Sequence, residues 1–134
     1  MQEKRYLKIV TLSAWYDLVI TGILAIPFTS ILLIGFLNTT HTFLNLPGVF
    51  GIFEPIHLLF VNLMGIVSFF WAILRIKHTS ILLGYYDGLI RLSLAVLMAF
   101  YMLYYQVSLV IVSFFFVEVI FGLLQIVFYY KLKK

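Results

Sequence analysis

PIHLLFVNLMGIVSFFWAIL, residues 55–74, runs for 20 positions without an Asp, Glu, Lys or Arg. A bilayer core about 30 Å thick takes roughly 20 apolar residues wound as a helix, so this stretch predicts a membrane span. Its ends carry helix punctuation. Pro55 stands in the first turn, where a missing N–H costs nothing, Glu54 precedes it, and Arg75, Lys77 and His78 close it.

Outward from this span, residues 80–105 and 107–130 predict two more, with only an uncharged turn around Gln106 between them, and residues 9–37 predict the first. That first segment exceeds the hydrocarbon thickness. Pro27 removes a backbone hydrogen bond and crowds the preceding turn, which predicts a kink near it. Residues 38–51, NTTHTFLNLPGVFG, carry Asn, Pro and Gly and predict a surface loop dipping into the headgroups. The expected fold is all-α, a four-transmembrane-helix bundle forming one integral membrane domain over residues 1–134. Composition agrees: the chain is 64% hydrophobic and 10% charged, with a mean hydropathy of +1.14, outside the range of a water-soluble globular domain. The apolar stretch after Lys8 continues past Leu24 without a small-residue cleavage site, which predicts that the first helix is retained. With no cysteine, disulfides, thiolate metal sites and thiol catalysis are excluded.

The net charge of +4 does not argue for a nucleic-acid partner, because the basic residues sit at the ends of spans. Lys4, Arg5 and Lys8, then Arg75 and Lys77, then Lys131, Lys133 and Lys134 make 8 of the 9 Lys and Arg, all on one side of a four-span topology. The positive-inside rule therefore places both termini in the cytoplasm. Tyr6, Trp71, Tyr129 and Tyr130 on the basic side, with Tyr104 and Tyr105 on the other, fit interfacial aromatic belts. WYDLVI (15–20) and YYDGLI (85–90) echo one another at similar depths in the first and third spans, the pattern that two duplicated helical hairpins would leave.

Polar residues at membrane depth are costly and face the bundle interior, so they mark the candidate site. At about 100° per residue, Ser13, Asp17 and Thr21 share one face of the first span. Ser80, Gly84, Asp87, Arg91 and Met98 share one of the third, and Glu118, Gly122 and Gln125 one of the fourth. Glu54, His57, Gly65, Ser68 and Ala72 form a small, polar arc on the second. Turned inward, these stripes predict two clusters. The inner one sets Asp17, Asp87 and Glu118 against Arg91, three carboxyls to one guanidinium, so a carboxyl keeps its proton unless a cation or ligand enters. Asp87 and Arg91, spaced i,i+4, also suit a plain structural pair. The outer cluster holds Glu54 and His57. Their spacing allows an N-terminal acid with a hydrogen-bonded partner, or one half of a carboxylate–histidine metal motif with His41 as a third ligand. A single such motif falls short of a di-metal site, so neither metal nor cofactor is expected. The many phenylalanines read first as lipid-facing or packing residues.

EPIHLLFVNLMGIVSFFWAILR (54–75), followed by YYDGLIRL (85–92), resembles the small four-helix membrane proteins of the DoxX-like and BphX-like group. The resemblance covers about a third of the chain and marks Glu54, His57, Asn62, Asp87 and Arg91 as motif positions. It implies a bacterial inner-membrane location and an association with membrane redox processes or aromatic-compound metabolism, and it supplies no catalytic residue. The leading expectation is a non-enzymatic accessory protein that holds a small lipophilic or weakly acidic, quinone-like molecule. Arg91 would meet its oxygen, and Asp17, Asp87 and Glu118 would set protonation. A second is a proton-coupled permease with Glu118 as proton carrier, working as a homo-oligomer or with a membrane-complex partner. A third is an intramembrane isomerase using Glu54 and His57 as acid and base.

Overall fold

The computed structural model describes residues 2–133, so Lys134 of the C-terminal basic cluster lies outside the described residues. Five helices follow in order: α1 Gln2–Ala25, α2 Pro27–Phe43, α3 Pro55–Lys77, α4 Ile81–Tyr104 and, after a 3-10 turn at Leu109–Ile111, α5 Val112–Leu132. Four helical stretches, α1, α3, α4 and Leu109–Leu132, are long and apolar enough to cross a membrane. The protein is a multi-pass integral membrane protein built as an all-α four-helix bundle. Its surface fits that solvent. Phe28, Leu103 and Ile52 are exposed by 81%, 78% and 89%, whereas Arg75, Arg91, Asp87 and Gln125 are among the most buried side chains. Water would reject that arrangement and lipid favours it.

The first apolar segment departs from expectation. Instead of one kinked helix over residues 9–37, α1 stops at Ala25, Ile26 is extended (φ −107°, ψ 128°), and Pro27 opens a separate helix. Proline is a poor helix interior but a good first turn, and here it acts as the latter. The carbonyls freed at the break find donors: Thr29 Oγ1 donates to Ile23 O (2.6 Å), and Asn62 Nδ2 donates to Leu24 O (2.8 Å) and to Ser30 Oγ (3.0 Å). Gly65 lets α3 press against this end of α1, since a Cβ there would lie 2.5 Å from Ala25 N. α2 also runs further than expected, so residues 38–43 are helical rather than loop. Thr40 and Thr42 turn their hydroxyls back onto Phe36 O and Asn38 O (2.9 and 3.0 Å), which lets a polar run stay helical in an apolar setting.

α1 lies mainly against α3, and α4 against α5. Tyr6 is fully buried beside Gly84 and donates to Ile81 O (3.3 Å), so it belongs to the core and not to the interfacial belt. At the opposite end the two loops are laced together. Val49 N donates to Gln106 O (2.8 Å), Ser108 N to Val49 O (2.9 Å), and Leu109 N to Pro47 O (3.0 Å). Gly48, with φ +93°, is required at this seam because a Cβ would come within 2.6 Å of Val107 O. Regular helix in the last span therefore begins at Val112 and not at residue 107.

Candidate functional site

Charged side chains from all four spans converge on one buried ionic cluster. Asp17 comes from α1, Arg75 from α3, Asp87 and Arg91 from α4, and Glu118 from α5. Arg91 reaches three carboxylates: Nε donates to Asp87 Oδ2 (2.9 Å), Nη1 to Glu118 Oε2 (3.0 Å), and Nη2 to Asp17 Oδ2. Arg75 joins the same acids, with Nη1 on Asp87 Oδ2 (2.6 Å) and Nη2 on Asp17 Oδ2. Neutral donors complete the shell: Trp71 Nε1 to Asp87 Oδ1 (3.0 Å) and Gln125 Nε2 to Asp87 Oδ2 (2.9 Å). Ser13 Oγ accepts from Arg75 Nη1 (3.2 Å) and Gln125 Nε2 (2.9 Å). The two aspartates of the echoed segments thus meet the same pair of guanidiniums.

Arg75 corrects the expected charge count. Charge counting places it in the basic loop after the second span, yet it is wholly buried, and the cluster holds two guanidiniums against three carboxyls rather than one. With every group ionised the sum is −1, so one proton or one bound cation brings it to neutrality. Trp71, expected at the interface, serves the cluster as a donor and lies with its ring 5.9 Å from the Arg75 guanidinium carbon. The signal for Arg75 was present, because it falls three residues after Ala72 and continues the small, polar arc of Gly65, Ser68 and Ala72.

An apolar cleft of about 260 Å³ opens onto this cluster, walled by α1, α2, α4 and α5 through residues such as Ile20, Leu33, Met98 and Phe114. Its polar end is formed by Tyr16, Asp17, Thr21 and Glu118. A smaller crevice of about 110 Å³ reaches the cluster past Ser68 and Trp71, and shares Asp17, Thr21 and Glu118 with the cleft. Each nitrogen of Arg91 donates to a carboxylate, and Arg91 lines the smaller crevice but not the cleft, so it is not the group that the cleft presents to a ligand. The arginine contacts of Asp17 fall on Oδ2 and that of Glu118 on Oε2. What the cluster offers the cleft is acceptor capacity at the other carboxylate oxygens. A molecule seated there would have to donate a hydrogen bond or carry positive charge.

The outer residues do not assemble a second site. His57 Nδ1 accepts from the Glu54 backbone N–H (3.1 Å), which makes the pair an N-terminal cap of α3, with both residues exposed. His41 instead pairs with Ser108 Oγ (2.7 Å), and Phe50 and Phe53 stand in succession between its ring and that of His57. Among the described residues, no group of three or more His, Cys, Asp or Glu is placed to hold a metal ion. No family model, no curated protein and no solved structure matches the chain.

Proposed function

We propose that this membrane protein binds a small lipophilic molecule whose polar end donates a hydrogen bond, such as the hydroxyl of a quinol or another weak acid in its protonated form. The observation that carries this reading is the apolar cleft of about 260 Å³ ending on Asp17 and Glu118. Apolar walls with a few convergent polar groups are the usual form of such a site. Tyr16 and Thr21 stand beside the carboxylates and would orient the head, while the chain or ring lies along Leu33 and Met98. The protein acts in this reading as a non-enzymatic accessory factor. Its resemblance to the DoxX-like and BphX-like group supports a place in the bacterial inner membrane. The basic ends support cytoplasmic termini: with Arg75 and Arg91 assigned to the cluster, the other 7 of the 9 Lys and Arg still fall on one side.

The test uses trimethylhydroquinone, its quinone and its dimethyl ether as probes against the protein in mild detergent, read by thermal stability and native mass spectrometry. The quinol is expected to stabilise saturably, the other two weakly, and Met98→Trp, which fills the cleft, should abolish the effect. Absence of any binding by the wild type, or undiminished binding by Met98→Trp, overturns the reading.

One observation favours a second reading, a proton-coupled permease. Glu118 has a single guanidinium partner, lines both cavities, and belongs to a cluster one proton from neutrality. Glu118→Gln should then abolish pH-driven uptake in liposomes while the fold persists, and normal uptake by that variant sinks it. An isomerase centred on Glu54 and His57 gains no support, since His57 Nδ1 is occupied in capping α3.

A further inference from the structure

We propose that the groove along the N-terminal half of α1 is a binding site for one anionic phospholipid, independent of the internal cleft. The groove has a volume of about 510 Å³ and is lined by Lys4, Leu7, Lys8, Thr11, Leu12 and Trp15 of α1, together with Thr79 from the α3–α4 connection. The spacing of the α1 residues sets them on one face, stacked from the helix terminus inward. Lys4 and Lys8 lie one turn apart at the basic end and are both exposed. Two ammonium groups so close repel one another, and a phosphodiester between them converts that repulsion into two favourable contacts. No acidic residue lines the groove.

Below the lysines the chemistry changes as a lipid's does. Thr11 Oγ1 and Thr79 Oγ1 face each other at 3.3 Å, and each already donates to a carbonyl, Leu7 O (2.9 Å) and Arg75 O (2.7 Å). Both hydroxyls are satisfied within the protein, so the groove below the lysines makes no hydrogen-bonding demand on a lipid's ester region. Deeper still, Leu12 and Trp15 present exposed apolar surface, 63% and 53%, to an acyl chain. The twelve residues from Lys4 to Trp15 span roughly 16 Å along the helix, enough to run from the headgroup layer well into the acyl region of one leaflet. Positive charge at the helix terminus and an apolar wall further in therefore occur in the order in which an anionic phospholipid presents its phosphate and its chains.

The experiment reconstitutes the protein in bilayers of phosphatidylcholine containing either brominated phosphatidylglycerol or brominated phosphatidylcholine with identical chains, and reads the quenching of Trp15. Trp71, tied to Asp87, gives a background that Trp15→Phe isolates. Two lysines beside a phosphate predict a preference of roughly 30-fold for phosphatidylglycerol. K4Q/K8Q, two exposed positions where the fold is not at stake, should reduce it below about threefold, whereas K131Q/K133Q at the other end of the chain should leave it intact. Equal quenching by the two lipids overturns the proposal. So does a preference that survives K4Q/K8Q, which would place the lipid elsewhere on the protein.

Discussion

Replacing Arg75 with Ala tests the buried cluster most directly, because a boundary charge and a cluster member respond differently. The wild-type guanidinium donates to Ser13, Asp17 and Asp87 and is completely buried. Its loss changes the cluster from two cations against three carboxyls to one against three. Breaking a buried pair by removing one partner costs about 3–5 kcal/mol, because the remaining charge stays buried without compensation. Against a total stability of about 5–15 kcal/mol, this is a large fraction. Arg75→Lys should recover only part of the loss, since one ammonium cannot reproduce the planar fork that bridges Asp17 and Asp87. Adding Asp17→Asn to Arg75→Ala removes one of the stranded carboxylates and should restore part of the stability, a coupling that a double-mutant cycle measures. Lys77→Ala, two residues further on and exposed, serves as the control and should change little. Thermal unfolding in mild detergent, followed by near-UV circular dichroism, reads these variants together with Asp17→Asn alone, which completes the cycle. If Arg75→Ala unfolds with Lys77→Ala, Arg75 is an interfacial charge and the cluster has been assembled from the wrong residues.

Three further outcomes follow from the same geometry. Glu118→Gln leaves two guanidiniums against two carboxyls and keeps an acceptor for Arg91, so stability should move by no more than about 1 kcal/mol, while Asp87→Asn, at the meeting point of Arg75, Arg91, Trp71 and Gln125, should cost about 3–5 kcal/mol in the same assay. Gly65→Val should prevent α3 from seating on the end of α1 and lower the melting temperature sharply, whereas Gly35→Ala, with nothing within 4 Å of the new Cβ, should be tolerated. Because the chain has no cysteine, single-cysteine labelling is clean: Ile52→Cys should react with an impermeant maleimide in intact cells and Lys131→Cys only after permeabilisation, and the reverse pattern would invert the orientation.

The four spans were legible because hydropathy and helix phase depend on solvent and local geometry alone. Hence the stripes through Ser13 and Asp17, Asp87 and Arg91, and Glu118 and Gln125 all reach the cluster that their spacing predicted. What escaped depended on contacts between distant segments. Pro27 is compatible with a kink or with a new helix, and the choice falls to Asn62, 38 residues from Leu24, which satisfies the carbonyl released by the break. The Asn-Thr-Thr run beginning at Asn38 has the composition of a loop, yet Thr40 and Thr42 bond back to their own helix. Glu54 and His57 show the converse, a spacing suggestive of chemistry that the fold uses for a cap.

Arg75 escapes charge counting because two rules compete for any cation near the end of a span. Counting charges assigns it to the loop with Lys77, whereas helix phase separates the two. At about 100° per residue, Gly65, Ser68, Ala72 and Arg75 lie within an arc of about 80°, and Lys77 falls roughly 160° from Arg75. The phase argument prevails because Asp17 and Asp87 stand opposite that arc with too few partners in Arg91 alone, and a buried carboxylate attracts whichever guanidinium the helix brings within reach. The orientation inferred from charge is unaffected, since neither inward arginine contributes to the side bias of the remaining seven basic residues. The deficit of one positive charge that persists with Arg75 included falls on Glu118, which has one guanidinium partner where Asp17 and Asp87 each have two. Asp17 and Glu118 retain side-chain exposures of 17% and 14%, against 3% for Asp87. A proton, a donor hydroxyl or a cation entering this protein would therefore meet the cluster where its charge is least compensated.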